Sequence, residues 1–146
     1  MGLDMYLSAE RYIWSLNEDK ELGENIGALV GLPAGRSVKT IKVEAGYWRK
    51  SNQIHKWFVD NVQGGTDDCG NYYVSRDQLK ELREVCQKVL DNHALAEQLL
   101  PVSEGFFFGS NNYDQWYFND LEDTIKIIDD ALAMPDGWDF EYHSSW

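Results

Sequence analysis

The stretch GYWRKSNQIHKW, Gly46 to Trp57, joins a segment that alternates every second residue to one that repeats at helical spacing. Upstream, Val38, Thr40, Lys42 and Glu44 fall on one side and Lys39, Ile41, Val43 and Ala45 on the other, which predicts a strand over Val38 to Ala45. Downstream, Ile54, Trp57, Phe58 and Asn61 share a face, with Lys50 beside them at the first turn. Arg49, Asn52, Lys56 and Val59 lie opposite, so a helix is expected from Arg49 to Val62. The junction is also basic. Arg36 to Lys56 holds six of the 13 Lys and Arg and one acid, Glu44, in a chain with 25 Asp and Glu.

Working outward, Leu3, Met5 and Leu7 alternate with Asp4, Tyr6 and Ser8, the pattern of a strand with one buried face. Asn17 to Gly35 is acidic and then glycine-rich, which predicts a loop or a short irregular helix. The run QGGTDDCGN, Gln63 to Asn71, predicts a loop, and Tyr72 to Val74 a short strand. Ser75 and Gln78 have capping-box spacing before the amphipathic positions Leu79, Leu82, Val85, Cys86 and Val89, so a helix is expected to about Asn92. Phe106 to Phe108 and Gln115 to Phe118 read as two short strands joined by a turn at Ser110 to Asp114. Asn119 and Glu122 repeat the capping-box spacing ahead of Leu121, Ile125, Ile128 and Leu132. The tail alternates from Trp138 to Tyr142 as a final strand. Together these elements predict one α+β domain of 146 residues, with a mainly antiparallel or mixed sheet and about three helices.

Composition narrows the function. A hydrophobic fraction of 43% with 14% aromatics excludes a disordered chain. A net charge of −12 disfavours nucleic acid and anionic membrane surfaces, which would repel the protein at long range. The amino terminus shows no signal peptide and no apolar run of membrane-spanning length, so a cytoplasmic protein is expected. Cys69 and Cys86 lack the density of a disulfide framework. His55, His93 and His143 are scattered and the cysteines lack CxxC spacing, so neither a metal nor a cofactor is expected. Nucleotide-hydrolase and acyl-transfer signatures are absent, and two carboxylates beside Cys69 disfavour a thiolate nucleophile.

Two constellations point to a ligand. Arg49 and Lys50, read at a helix start, sit where basic side chains are disfavoured; a phosphate held there would relieve that cost, as would pairing with the abundant carboxylates. The aromatics Tyr47, Trp48 and Trp116 lie beside polar loop residues, which suits stacking of a nucleobase, although aromatics also fill cores and subunit interfaces. Arg36 and Lys39 are further phosphate candidates. Ser110, Asn111 and Asn112 are candidates for ribose or base edges, and His55 completes the set as a ligand-binding residue or an acid/base.

The motifs MGLDMYL, GYWRK with NQIHKWF behind it, DDCGNYYVSRDQL, LLP with GFFFGS, YDQWYFNDL and the closing SSW resemble, over nearly the whole chain, a family of small uncharacterised bacteriophage and prophage proteins. Some of that family carry the label phosphoglycerate kinase, which a chain this short without a nucleotide loop does not support. The resemblance supplies no catalytic residue. It implies a setting in the infected cell, where phage proteins of this size sequester nucleotide-derived immune signals. The expectation is a non-catalytic sponge for a cyclic ADP-ribose isomer, an ADP-ribose conjugate or a cyclic dinucleotide, with a homo-oligomer closing the pocket if subunits assemble. The alternatives are an acidic inhibitor that binds a host protein and an enzyme that degrades the signal.

Overall fold

The computed structural model describes residues 2–105 and 108–146. In chain order the elements are β1 (Asp4–Tyr12), α1 (Asn17–Leu29), β2 (Thr40–Arg49), α2 (Asn52–Asn61), β3 (Asn71–Val74), α3 (Arg76–Asp91), α4 (Ala96–Leu99), α5 (Gln115–Leu132) and β4 (Trp138–Ser145). A 3-10 turn at His93–Leu95 precedes α4. The strands form one antiparallel sheet in the order β2-β1-β4-β3, and the fold class is α+β. Among the described residues no helix is long and apolar enough to cross a membrane.

The alternation in β1 buries Leu3, Met5, Leu7 and Ala9 on one side of the sheet. Phe140 and Tyr142 of β4 join them, against Ile54 and Phe58 of α2, Leu79, Leu82 and Cys86 of α3, and Leu121 and Ile128 of α5. Phe58 stacks on Tyr142 with ring centroids 3.9 Å apart, so aromatic contact fixes α2 against the middle of the sheet. The opposite side of the sheet carries Tyr6, Lys42, Glu141 and His143.

Helix α3 starts as its spacing predicts: the Ser75 hydroxyl accepts from Gln78 N–H and the Gln78 side chain accepts from Ser75 N–H. Other boundaries differ. Strand β2 runs on to Arg49 because a bulge changes its parity: Leu7 pairs Gly46 while Ser8 pairs Glu44, leaving Ala45 unpaired. Gly46 and Trp48 therefore face the core, and α2 begins only at Asn52. The expected helix start at Arg49 is corrected accordingly.

Of the loop or short irregular helix expected over Asn17 to Gly35, the structure has the helix, longer and regular: 13 of the residues form α1. Glu18 and Asp19 in the first turn suit the helix dipole. Gly23 and Gly27, one turn apart, are buried where a Cβ would come within 2.9 Å of Val38 O and 3.0 Å of Arg36 O. These glycines serve close packing rather than a turn.

The strand expected at Gln115 to Phe118 is the first turn of α5, capped by Asp114, whose carboxylate accepts from Tyr117 N–H. Asn119 is consequently inside the helix, and the Asn119–Glu122 capping box does not form. Of the strand expected at Phe106 to Phe108, Phe106 and Phe107 lie outside the described residues, and Phe108 is in a bend. With α1 added and the short α4 counted, there are five α-helices among the described residues instead of about three.

Candidate functional site

The start of α2 is polar and buried. Ser51, Asn52, Gln53 and His55 are each no more than 3% exposed, and Asn52, Gln53 and His55 find hydrogen-bond partners inside the protein. Asn52 clamps a loop: its Nδ2 donates to Phe108 O at 3.1 Å and Ser110 O at 2.9 Å, and its Oδ1 accepts from Ser103 N–H at 3.0 Å. Gly109, at φ +89°, lets that loop approach Lys50, because a Cβ there would lie 3.0 Å from the Lys50 Cβ. Lys50 itself holds a left-handed backbone at φ +55°, turning the chain from β2 into α2. The side chain at Ser51, the N-cap position, makes no capping bond, so the first N–H groups of α2 are left without a side-chain cap.

These pieces enclose a cleft of about 320 Å³ between the end of β2, the start of α2 and the start of α5. Arg49 and Lys50 line its β2 side, Asn52 and Gln53 its α2 side, and Gly109, Ser110 and Asn112 its loop side. Helix α5 contributes Asp114, Trp116, Tyr117 and Asp120. Trp116 is 77% exposed, an aromatic surface left open at the cleft. Tyr117 is the reverse, buried with its hydroxyl donating to Leu100 O at 2.6 Å, and burial raises its pKa.

Asp120 accepts from Gln53 Nε2 at 3.3 Å, and Gln53 Nε2 also reaches Tyr117 O at 3.3 Å. Burial raises the Asp120 pKa; Gln53 and Ser51 oppose the shift, and the negative charges of Asp123 and Asp114 add to it. Across the cleft, Arg49 Nε lies 4.0 Å from Asp4, on the outer side of the sheet. Among the described residues neither Lys50 nor Asp120 takes part in an ion pair.

Arg49, Lys50, Ser110, Asn112 and Trp116, all anticipated as ligand residues, line this one cleft. Asn111 lies in the same loop, exposed, and outside the lining. The other anticipated residues lie elsewhere. Trp48 is 4% exposed and belongs to the core, its Nε1–H donating to Thr124 Oγ1. Tyr47 occupies the opposite face of the sheet, donating to Asp4 and packing on Tyr6. Arg36 and Lys39 precede the far end of β2, roughly 30 Å from Arg49 at ~3.3 Å per strand residue. There Lys39 donates to Ser15.

His55 is buried beneath the Phe108 bend, away from the cleft lining. Its Nε2 lies 3.0 Å from Asp67 Oδ2 and its Nδ1 2.7 Å from the Tyr142 hydroxyl. Asp67 also accepts from Trp146 Nε1–H at 3.1 Å, so this network ties Trp146 to the Gln63–Asn71 loop. Cys69 is partly buried, and Cys86 is fully buried with its thiol pushed up to about 12. Among the described residues no group of three or more His, Cys, Asp or Glu is placed to hold a metal ion.

Asn52, Gln53, Asp114 and Asp120 were not anticipated. Asp114 carried a signal, since an Asp three residues before Tyr117 fits an N-cap. The polar run Ser51-Asn52-Gln53 carried a weaker one, an uncharged polar start to a helix whose next turns are apolar. No protein-family model, no curated protein and no solved structure matches the chain.

Proposed function

We propose that the protein binds a small phosphate-bearing, nucleotide-like ligand in the cleft between β2, α2 and α5, as a binding protein and not as an enzyme. One observation carries this reading: two cations, an uncapped helix start, a loop of Ser and Asn, and an exposed indole surround a single cleft of about 320 Å³. Arg49 and Lys50 supply charge to a phosphate, and the first N–H groups of α2, which have no side-chain cap, supply donors. Ser110 and Asn112 offer hydrogen bonds to sugar hydroxyls, and Trp116 offers a stacking surface worth ~1 to 3 kcal/mol per base. The volume is at the low end for ligand pockets, about 300 to 1,000 Å³, and suits one nucleotide unit.

The preference for binding over chemistry rests on the lining, which is built from donors, acceptors and an aromatic. His55, the residue best suited to acid/base work, has both ring nitrogens engaged elsewhere. With the phage resemblance, the reading becomes a sponge that captures a nucleotide-derived signal of host defence.

The test is the thermal midpoint of the purified protein against mononucleotides, cyclic dinucleotides, cyclic ADP-ribose isomers and ADP-ribose conjugates. A ligand at 100 times its Kd adds ~2.7 kcal/mol of stability, a shift of several degrees. Recovery of the ligand unchanged after heat denaturation is expected of a sponge. The Arg49→Ala/Lys50→Ala double variant is expected to fold and to lose the shift; an unchanged shift in that variant would refute the site.

A further inference from the structure

We propose that the cleft selects a guanine-type base, stacked on Trp116 and read by the Asp120 carboxylate. This inference rests on the assignment of the cleft to a nucleotide. Trp116 and Asp120 are four residues apart on α5, hence on the same face and about 6 Å apart along the axis. Both line the cleft. A purine ring lying on the open indole therefore extends one edge towards Asp120.

Asp120 is equipped to receive donors. An ionised carboxylate only accepts, and its two oxygens offer about four lone-pair sites. Gln53 Nε2, at 3.3 Å from Oδ2, occupies one of them, and the Ser51 side chain also favours the charged form. Arg49 and Lys50 line the same cleft, yet among the described residues Asp120 has no ion pair with either, so its acceptor capacity is not consumed by a cation. Its partial burial raises the cost of leaving that capacity unused.

The bases differ in what they present to two adjacent acceptors. Guanine places a ring N–H beside an exocyclic amino group, two neighbouring donors that match a carboxylate. Adenine and cytosine place a ring nitrogen lone pair beside their amino group, and that lone pair repels the carboxylate. Uracil offers a single N–H between two carbonyls. Removal of the exocyclic amine, as in hypoxanthine, leaves one donor. A bidentate base contact commonly discriminates by roughly tenfold to a hundredfold.

Calorimetric titration of the full chain with GMP, IMP, AMP and XMP tests the inference. GMP is expected to bind most tightly, AMP roughly tenfold to a hundredfold more weakly, and IMP in between. Asp120→Asn should weaken GMP and strengthen XMP, because the amide donates to the carbonyl that xanthine carries in place of the amine. Equal affinity for GMP and AMP in the unaltered protein overturns the base assignment and leaves the nucleotide site standing, and this comparison needs no variant. GMP affinity unchanged in a folded Asp120→Asn protein overturns it equally. If none of the four binds, and no cyclic dinucleotide or ADP-ribose derivative shifts the thermal midpoint, the nucleotide reading itself fails and the base assignment with it.

Discussion

Trp48 Nε1–H donates to Thr124 Oγ1 at 2.9 Å, and the Thr124 hydroxyl donates in turn to the Asp120 carbonyl at 2.6 Å. The bond joins the end of β2 to the turn of α5 that begins at Asp120, and so sets the spacing between the two sides of the cleft. Both residues are buried, which means the indole N–H has no water to turn to. Thr124→Val keeps the shape of the side chain and removes the acceptor. The expected loss is about 1 to 3 kcal/mol in a urea titration, from the desolvated N–H left unpaired. In Trp48→Phe that N–H is already gone, so adding Thr124→Val should cost less there than in the parent protein.

Gly46 fixes how closely α5 lies on β2. A Cβ at this position would fall 2.3 Å from the Ile127 Cγ2, and a methyl attached to a branched carbon cannot swing aside as a long chain end does. Gly46→Ala should destabilise the protein by roughly 1 to 3 kcal/mol through overpacking. Pairing it with Ile127→Ala should recover part of the loss. A double variant no more stable than the additive sum of the two single changes would show that the glycine is required for some other reason.

The architecture was legible where a periodic signal ran unbroken. The β1 alternation, the Ser75–Gln78 capping box and the apolar stripe of α3 each mark their own element. Legibility failed where tertiary packing set the rule. The bulge at Ala45 reverses the alternation of β2, so the strand seemed to stop four residues early and carried Arg49 and Lys50 into a helix that starts later. The glycines of α1 resemble loop residues because the reason for them, the backbone of residues 36–38, lies outside the helix. The aromatic run Trp116-Tyr117-Phe118 favours a strand by propensity, yet the Asp114 cap starts a helix and the core accepts Tyr117.

The site was legible in part for a related reason. Arg49, Lys50 and Trp116 stood out by charge and aromaticity, and the fold brings them together. Asp120 did not stand out, being one of 25 acids, and only its place one turn after Trp116 distinguishes it. Trp48 and Trp116 carry similar sequence signals, but the bulge turns Trp48 of β2 into the core, whereas Trp116 stands exposed in the first turn of α5.

Asp120 also predicts a pH dependence. Its pKa is raised on folding, so the native state holds its proton more tightly than the unfolded chain does. Stability from this group is therefore present below the ordinary carboxylate range and is lost as pH rises through the raised value. Asp123 on the helix and Asp114 at its N-cap strengthen the effect, while the Gln53 and Ser51 side chains oppose it; Arg49 and Lys50 are the cations that line the same cleft. Asp120→Asn should raise the thermal midpoint at pH 7 relative to the parent, and the difference should shrink towards pH 4. A midpoint lowered at pH 7 and unaffected by acid would mean that the carboxylate is held by an attractive partner. Ligand binding runs the other way, since the ionised form accepts donors, and affinity should grow with pH over the same range.

His55 gives the remaining prediction, because its partners define its role. Nε2 faces the Asp67 carboxylate, which only accepts, and in the tautomer with its single proton on Nε2 the Nδ1 accepts from the Tyr142 hydroxyl. Burial, with the charge of Asp67 beside it, raises the Tyr142 pKa well above its ordinary value and keeps the hydroxyl protonated as that donor. His55→Ala removes the acceptor and leaves a fully buried phenol unpaired beside a cavity, an expected loss of about 2 to 4 kcal/mol. Tyr142→Phe keeps the ring stacked on Phe58 and should cost less, about 1 kcal/mol. Since His55 lies outside the cleft lining, the ligand affinity of His55→Ala, measured well below its lowered thermal midpoint, should equal that of the parent. A weakened affinity in that folded variant would instead bring the Asp67–His55–Tyr142 network into the binding site, acting through the Phe108 bend that Asn52 holds against the cleft.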